Sequence, residues 1–297
     1  MRLKYYLLFI VSFQSVAAFS QELHKHFEAA KIHNSERVRL EVTTKAGMSY
    51  INATDSDEPI VIYGGNENNI ASSTFKITED NKKHIIQAKL ACKDHAGSNF
   101  TEAIASNLFG SEEGEKDLWQ INLSENFPFD LDLEYLVGES SIDLSNLSIE
   151  KLKIKSGSAD VFVKYSNKQQ NTVAMDTFFI KVNMGNIDVQ DLDLALAKNI
   201  IAEVGFGSID LNCGQNWKIN SKVSASVGAG SMNIQLPPAT QAVLVKLNNS
   251  PLCHVKMNKD FVKVGHNAFG NAAYRDNPTN YIEFSLDVGM GKITFID

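Results

Sequence analysis

The stretch VGFGSIDL, Val204 to Leu211, recurs along this sequence and determines its fold class. Close copies stand as VGAGSMNI, VGMGKITF and VGESSIDL, and looser ones as NMGNIDV and SGSADVFV. In each copy an alternating apolar–polar run leads into small residues and then into a second alternating run. That alternation is the period of a β-strand with one buried face. The sequence therefore predicts strand pairs joined by glycine corners.

The copies align on the apolar residue that follows each corner. Successive copies lie 19 to 26 residues apart, before one longer final interval. A unit of that size cannot bury its apolar face alone, so it has to stack on its neighbours. We therefore predict an all-β protein with a β-solenoid fold. The aligned residues are Ile142, Val161, Ile187, Ile209, Met232 and Ile293.

Glycine at these corners has a backbone explanation. A tight corner between strands commonly needs a positive φ, which glycine adopts freely and other residues resist at roughly 1–2 kcal/mol. We expect the corner glycines to act as structural turns, with positive φ at Gly207 and Gly230. The predicted turn residues are Gly138, Gly157, Gly185, Gly205, Gly207, Gly228, Gly230, Gly289 and Gly291.

The residue after each aligned apolar position forms a second column that contains three aspartates. A calcium-binding β-helix repeats its Gly/Asp motif about every nine residues, so the longer interval here favours a solvated strand face. The paired glycines imitate a dinucleotide fingerprint, but that motif needs a third glycine and a following helix. We predict no metal site and no cofactor. The column comprises Asp143, Phe162, Asp188, Asp210, Asn233 and Thr294.

The first 20 residues predict export. Arg2 and Lys4 precede an apolar run from Tyr5 to Phe13, and small residues then surround a cleavage point after Ser20. This order is typical of a secretory signal peptide. The run is shorter than the ~20 apolar residues that a spanning helix needs. We expect a mature chain in the periplasm, on the outer surface or outside the cell, without a transmembrane segment.

Charge and cysteine content argue against other classes of protein. The net charge is −7 and only four arginines occur, whereas a nucleic-acid-binding protein needs a basic face. Cys92, Cys213 and Cys253 are odd in number and widely spaced, so they form neither a disulfide scaffold nor a metal motif. They are interpreted as buried small hydrophobic residues, with a Cys213–Cys253 bond as the alternative.

Composition divides the chain into five segments. They are a signal peptide (1–20), a polar N-terminal segment (21–35), an N-terminal β-strand segment (36–91), a linker or mobile loop (92–117) and the solenoid repeats (118–297), with an insertion at 266–280. The last strand pair should close or cap the stack. Phe100, Phe109, Phe269 and Tyr274 are interpreted as anchors that pack the two irregular segments.

One part of the sequence resembles a known family. The run from Trp119 to Val163 resembles the bacterial toast-rack β-strand repeats, in which a strand enters a glycine corner and continues as LDLSxLxLxxLxIxxGxG. Residues 144–147 (LSNL) and 152–154 (LKI) match that pattern. The opening RLEVTTKAGMSYINATDSDEPIVIYGG is similar to the start of the related candidate-adhesin domains. The resemblance extends from about Val38 to the C-terminus.

The resemblance implies a right-handed β-solenoid with a single strand on each side, found in cell-envelope proteins. Members similar to the LiaF type act beside membrane partners in sensing cell-wall stress. The resemblance implies no catalytic residue. We therefore predict a secreted, non-enzymatic cell-envelope protein that serves as an interaction or adhesion module for an unidentified protein or glycan, and not for nucleic acid.

Two alternatives stay open. One is an envelope-stress accessory protein that binds a membrane partner. The other is a carbohydrate-active β-helix enzyme, which would need two carboxylates across a cleft. Alternating carboxylates with the required chemistry are Asp130, Asp132 and Glu134, and likewise Asp191 and Asp193.

Overall fold

The structure is a computed structural model, and it describes residues 24–29, 37–64, 73–80, 83–91, 118–248, 254–275 and 278–296. The predicted signal peptide, the segment 92–117 and two of the cysteines, Cys92 and Cys253, lie outside the described residues. The described part of the chain contains no helix with the length and apolar character needed to cross a membrane.

Nearly all regular structure is β-strand, as the alternation predicts. The N-terminal strands are β1 (His24–Glu28), β2 (Val38–Thr44), β3 (Met48–Thr54), β4 (Ile60–Gly64), β5 (Thr74–Asp80), β6 (Lys83–Leu90) and β7 (Leu118–Ser124). The central strands are β8 (Pro128–Asp143), β9 (Ser148–Lys164), β10 (Met175–Val182), β11 (Asn186–Val189), β12 (Ala197–Val204), β13 (Ser208–Asn212), β14 (Ser221–Val227) and β15 (Ser231–Gln235). The C-terminal strands are β16 (Ala242–Asn248), β17 (His254–Lys256), β18 (Val262–Gly265), β19 (Ala268–Gly270), β20 (Tyr281–Val288) and β21 (Lys292–Ile296). A 3₁₀ turn spans Leu192–Ala195, and a one-turn helix α1 spans Ala272–Arg275.

The strands stack as rungs, and each rung supplies a strand to each of two sheet faces. The first face contains β2 and the second face contains β3. The long strands β8 and β9 pass through both faces, and most other rungs use two strands joined by a three-residue corner. Neighbouring rungs pair in parallel, and the predicted all-β solenoid is confirmed. In spatial order the rungs are β6/β7, β2/β3, β8, β9, β10/β11, β12/β13, β14/β15, β20/β21 and β16/β17.

The order of rungs in space differs from their order in the sequence. The last strand pair, β20/β21, lies between β14/β15 and β16/β17. The expectation that this pair caps the stack is therefore wrong. Antiparallel strands lie at the two ends instead. β5 pairs with β6, β4 and β1 extend the sheet beyond β7, and β19 and β18 extend it beyond β16.

Inward-facing side chains of the two faces form one hydrophobic core. Trp119, Tyr135 and Phe178 are among the largest fully buried side chains. Phe284 on the first face meets Phe295 on the second edge to face, with ring centroids 5.5 Å apart. Burying one such side chain contributes about 1.5–3 kcal/mol relative to leaving it exposed. The core therefore joins the two faces of every rung.

The corner glycines are required by close backbone approach. Positive φ occurs at Gly138 (φ 109°) but not at Gly207 or Gly230, so the left-handed conformation predicted for the last two is wrong. A Cβ on Gly207 would lie 2.1 Å from the carbonyl oxygen of Gly185 in the neighbouring rung, and a Cβ on Gly230 would lie 2.2 Å from that of Gly207. Only a residue without Cβ fits there.

The other predicted turn glycines lie at the same edge of the stack. Gly138 and Gly157 lie inside the continuous strands β8 and β9. The remaining ones are found in the three-residue bends between strands, and they are Gly185, Gly205, Gly228, Gly289 and Gly291.

The aligned apolar residues form one stacked row, except at its first member. Val161, Ile187, Ile209, Met232 and Ile293 pair in register. Val161 faces Ser140, however, and Ile142 faces Val163. Accordingly Ser141 takes the place predicted for Asp143 in the second column. The predicted alignment of the VGESS copy is therefore wrong by two residues. The reason is that Gly138 occupies the third corner position, which Gly207 occupies in the VGFG copy.

The second column has unequal electrostatic surroundings along its length. Asp188 and Asp210 are adjacent on neighbouring rungs. The pKa of Asp188 is raised overall, mainly because the carboxylate is partly buried. A hydrogen bond from Gln190 Nε2 (2.5 Å) lowers this pKa, and the negative charge of Asp210 raises it. Asn233 Nδ2 donates to Asp210 Oδ1 at 2.7 Å. The Asp188 carboxylate therefore destabilises the folded state when it is charged.

Asp143 has the opposite behaviour at the turn that follows β8. Burial opposes the charged carboxylate, but hydrogen bonds from Ser145 and Ser166 outweigh burial, so the pKa of Asp143 is lowered. The backbone N–H groups of Ser145 and Ser166 lie 3.1 and 3.2 Å from Asp143 Oδ1. Charged Asp143 therefore joins two successive turns and stabilises the fold.

The two glycine positions of one corner should differ in their tolerance of a side chain. Gly230→Ala should lower the free energy of unfolding by about 2 kcal/mol, because the new Cβ forces the rungs apart. In Gly228→Ala the new Cβ would lie 3.1 Å from the carbonyl oxygen of Gly205, and a small shift with the lower entropy of the unfolded chain should keep the loss below about 1 kcal/mol. Urea denaturation measures both variants, and equal losses would contradict the close-approach explanation.

The two aspartates should respond to acid in opposite directions. Asp188→Asn should stabilise the protein at pH 7, because a raised pKa in the folded state makes charged Asp188 unfavourable above the unfolded value of about 3.9. Asp143→Asn should destabilise it at pH 7, because the stabilisation from a lowered pKa is lost only as the pH falls through the folded-state pKa. Urea midpoints of each variant, relative to the unmodified protein, should converge towards pH 3. A difference that does not change with pH would refute the corresponding assignment.

Candidate functional site

The three most exposed large apolar side chains of the described residues lie on one edge of the stack. Phe206 is 77 % exposed, Met290 is 74 % exposed and Met184 is 49 % exposed. Each is the middle residue of a three-residue corner, and Ala229 holds this position in the rung between Phe206 and Met290. We call Met184, Phe206, Ala229 and Met290 the corner ridge. With rungs about 4.8 Å apart, the ridge extends about 14 Å.

The corner backbone fixes the direction of the ridge side chains. The carbonyl oxygen of Gly205 accepts the N–H groups of both Ala229 (2.8 Å) and Gly230 (2.9 Å) in the next rung. The same pair of hydrogen bonds recurs at the following corner. On either side of the corner, the inward positions belong to buried residues such as Val227 and Met232. The middle residue is therefore held towards solvent by a rigid backbone.

Ala229 leaves a notch in the ridge between Phe206 and Met290. This notch has a volume of about 480 Å³, and its rim includes Ser231, His254 and Lys292. Two large apolar walls, a small floor and a polar rim match the composition of a protein–protein contact that receives one side chain. The notch could thus take a single apolar side chain of a partner.

The ridge is restricted to part of the stack. In the rungs β2/β3 and β8 the equivalent middle residues, Ala46 and Val137, are buried. Exposure begins at Met184, which lies four rungs from the end of the stack formed by β6/β7. Sequence reasoning missed this surface, although VGFGS and VGMGK contain the signal. An apolar residue between two corner glycines cannot face inward, because the flanking strand residues already occupy the inward positions.

Three of the carboxylates proposed for the enzyme alternative, Asp132, Asp191 and Asp193, have structural partners. Asp132 Oδ2 accepts a hydrogen bond from Lys153 Nζ at 2.6 Å. Asp191 pairs with Lys168. Asp193 is buried in the 3₁₀ turn, so the expectation that it shares a strand face with Asp191 is wrong. These carboxylates hold turns and rungs together.

Asp193 also shapes its buried surroundings. Its Oδ2 accepts the backbone N–H groups of Gln215 (3.2 Å) and Asn216 (2.9 Å), which join two successive turns. Burial, and then the charge of Asp193, raise the pKa of the Cys213 thiol. Cys213 is a free, fully buried thiol, as the small-hydrophobe interpretation predicts. Among the residues that the structure describes, no group of three His, Cys, Asp or Glu side chains could hold a metal ion.

The insertion at 266–280 extends the sheet at one end. β19 pairs antiparallel with β16. The buried Asn271 follows β19, and its Oδ1 accepts the N–H groups of Val243 and Tyr274, both at 3.0 Å. The ring of Tyr274 packs edge to face on Tyr281 with centroids 5.4 Å apart. Tyr274 is therefore placed as an anchor of its segment, whereas Phe100 and Phe109 lie outside the described residues.

Two solved structures are similar to this chain at low sequence identity. A candidate cell adhesion protein from Clostridium sporogenes is 17% identical, with 92% of this chain and 99% of that chain covered and a TM-score of 0.41. A candidate adhesin from Bacteroides fragilis is 14% identical, with 93% and 98% covered and a TM-score of 0.38. At these scores the likeness carries no argument about function. No curated protein matches the sequence.

A family match covers more than half of the sequence. Residues 20–179 of the 297 match the N-terminal domain of toast_rack, DUF2154. This range includes the stretch from Trp119 to Val163, on which the resemblance was most specific. The chain therefore belongs to the toast-rack family.

Proposed function

We propose that this chain is an exported, non-enzymatic protein of the bacterial cell envelope that binds a partner protein through the corner ridge. The observation that supports this function is the alignment of Phe206 and Met290, which are 77 % and 74 % exposed and two rungs apart. Contiguous exposed apolar surface of this kind is typical of interaction sites. Export rests on the signal-like residues 1–20, with cleavage after Ser20.

The chemistry of the ridge favours a protein partner over a glycan. Phenylalanine and methionine are enriched in protein interfaces, and a fully buried apolar anchor in a small pocket commonly dominates the binding energy. Lys292 on the rim adds a positive charge beside the notch. The partner segment should therefore present one apolar side chain, with an acidic group beside it.

A site-specific crosslink tests this function. A photoreactive residue at position 231, on the rim of the notch, should capture one envelope protein in the source bacterium. The double variant Phe206→Ser/Met290→Ser removes both walls of the notch, so it should abolish the capture. Once the captured protein is purified, its affinity for the double variant should fall at least about tenfold, as expected for the loss of interface anchors.

A matched control separates the ridge from general surface hydrophobicity. Val262 and Val264 on β18 are 39 % and 42 % exposed. Val262→Ser/Val264→Ser removes two exposed apolar side chains at another position and should leave the capture intact. All three proteins should unfold at similar urea concentrations, because exposed side chains contribute little to folding. Equal capture by both double variants would overturn the ridge as the binding site.

A further inference from the structure

A second cleft lies on the second face, near the other end of the stack. Tyr50, Ser141 and Phe162 are aligned on three consecutive rungs. Tyr50 is 36 % exposed and Phe162 is 37 % exposed. The small Ser141 between them leaves a concavity of about 320 Å³. Two rung steps separate the aromatic residues by about 9.6 Å, so a group midway lies about 4.8 Å from each ring.

Carboxylates surround this aromatic cleft. Glu139 on β8 is paired directly with Asp160 on β9. Asp188 on β11 is paired directly with Phe162 on β9, and all three carboxylates line the cleft. Asn186 Nδ2 donates to Asp160 Oδ1 at 2.7 Å, and Ser208 Oγ donates to Asn186 Oδ1 at 2.6 Å. The amide therefore holds the Asp160 carboxylate in place. A carboxylate accepts about four hydrogen bonds, so Asp160 keeps capacity for a ligand.

The chain already places one cation near this cleft. Lys164 Nζ lies 5.9 Å from the centroid of the Phe162 ring. This distance is at the outer limit of about 6 Å for a cation–π contact. A ligand cation between the two rings would lie closer to both of them, with three carboxylates around it to compensate its charge. Three carboxylates outnumber the single ammonium of Lys164, so the net negative charge around the cleft favours a positive guest over a neutral one.

We propose that the cleft between Tyr50 and Phe162 binds an organic cation, namely an alkylammonium group. The aromatic walls would contact its methyl or methylene groups, and the carboxylates of Glu139, Asp160 and Asp188 would balance its charge. Aromatic faces attract such cations by their negative quadrupole, and the attraction grows when water is excluded. This site is separate from the corner ridge and does not depend on the function proposed for it.

Titration with a matched pair of ligands tests the charge requirement. Choline and its neutral carbon isostere, 3,3-dimethyl-1-butanol, have nearly the same shape. Calorimetry or NMR titration of the mature chain should show saturable choline binding, with the isostere at least about tenfold weaker. Methyl glucoside, a neutral sugar, should not compete. Equal binding of choline and the isostere, absence of saturable choline binding, or competition by the sugar would each overturn the proposal.

Variants locate the choline site on the surface. Phe162→Leu and Tyr50→Leu should each weaken choline binding about fivefold or more, and Asp160→Asn should weaken it by a similar factor. Phe206→Leu makes the same change on the corner ridge and should leave choline binding unchanged. Each variant should keep the urea midpoint of the unmodified protein, which shows that it folds. A choline affinity that is unaffected by all three cleft variants would place the site elsewhere and refute the assignment.

Discussion

The stack depends on a close contact between the glycine at the third position of each corner and a backbone carbonyl oxygen of the neighbouring rung. At Gly207 and Gly230 the space that a Cβ would fill is taken by that oxygen, at 2.1 and 2.2 Å from the ideal Cβ position. The same oxygens accept hydrogen bonds from the residues that follow, as in Ser231 N to Gly207 O at 3.0 Å. The corner therefore sets the register of both faces at once. Because side chains alternate between inward and outward directions along each strand, equivalent residues of every rung then face the core.

The sequence contains enough information for the repeating unit, because alternation and corner glycines are local signals. It does not reveal where a rung lies in the stack. Parallel pairing between rungs uses the backbone, so the strand sequences alone do not decide whether β16 or β20 lies beside β14, and chain order favours β16, which is not the strand found there. The alignment of VGESS failed for a similar reason: its Val-Gly pair imitates Val204-Gly205, whereas Gly138 stands opposite the third corner position. The positive φ expected at Gly207 was wrong because the glycine is needed for its missing side chain.

The displaced rung has a consequence for assembly of the fold. β16 is synthesised before β20, but its parallel partner in the stack is β20. The native position of the rung β16/β17 in the stack therefore requires β20, which follows it in the chain and lies between it and β14. Such pairing adds contacts of long sequence separation, which slow folding. The hairpin of β18 and β19 pairs with β16, so this strand of the terminal rung is not left as an unpaired edge.

Both proposed recognition sites arise from the row pattern of the solenoid. Each row contributes one side chain per rung, so a small residue between two large ones opens a gap of about 9.6 Å, whichever row it occupies. That spacing suits one side chain or one organic cation. The pattern is not visible in the sequence, because residues in one row are separated by whole rungs or by an inserted segment. It occurs on the corner edge beside Lys292 and on the second face beside three carboxylates, so the same rung spacing is combined with opposite charge in the two gaps. The two gaps are formed by Phe206, Ala229 and Met290, and by Tyr50, Ser141 and Phe162.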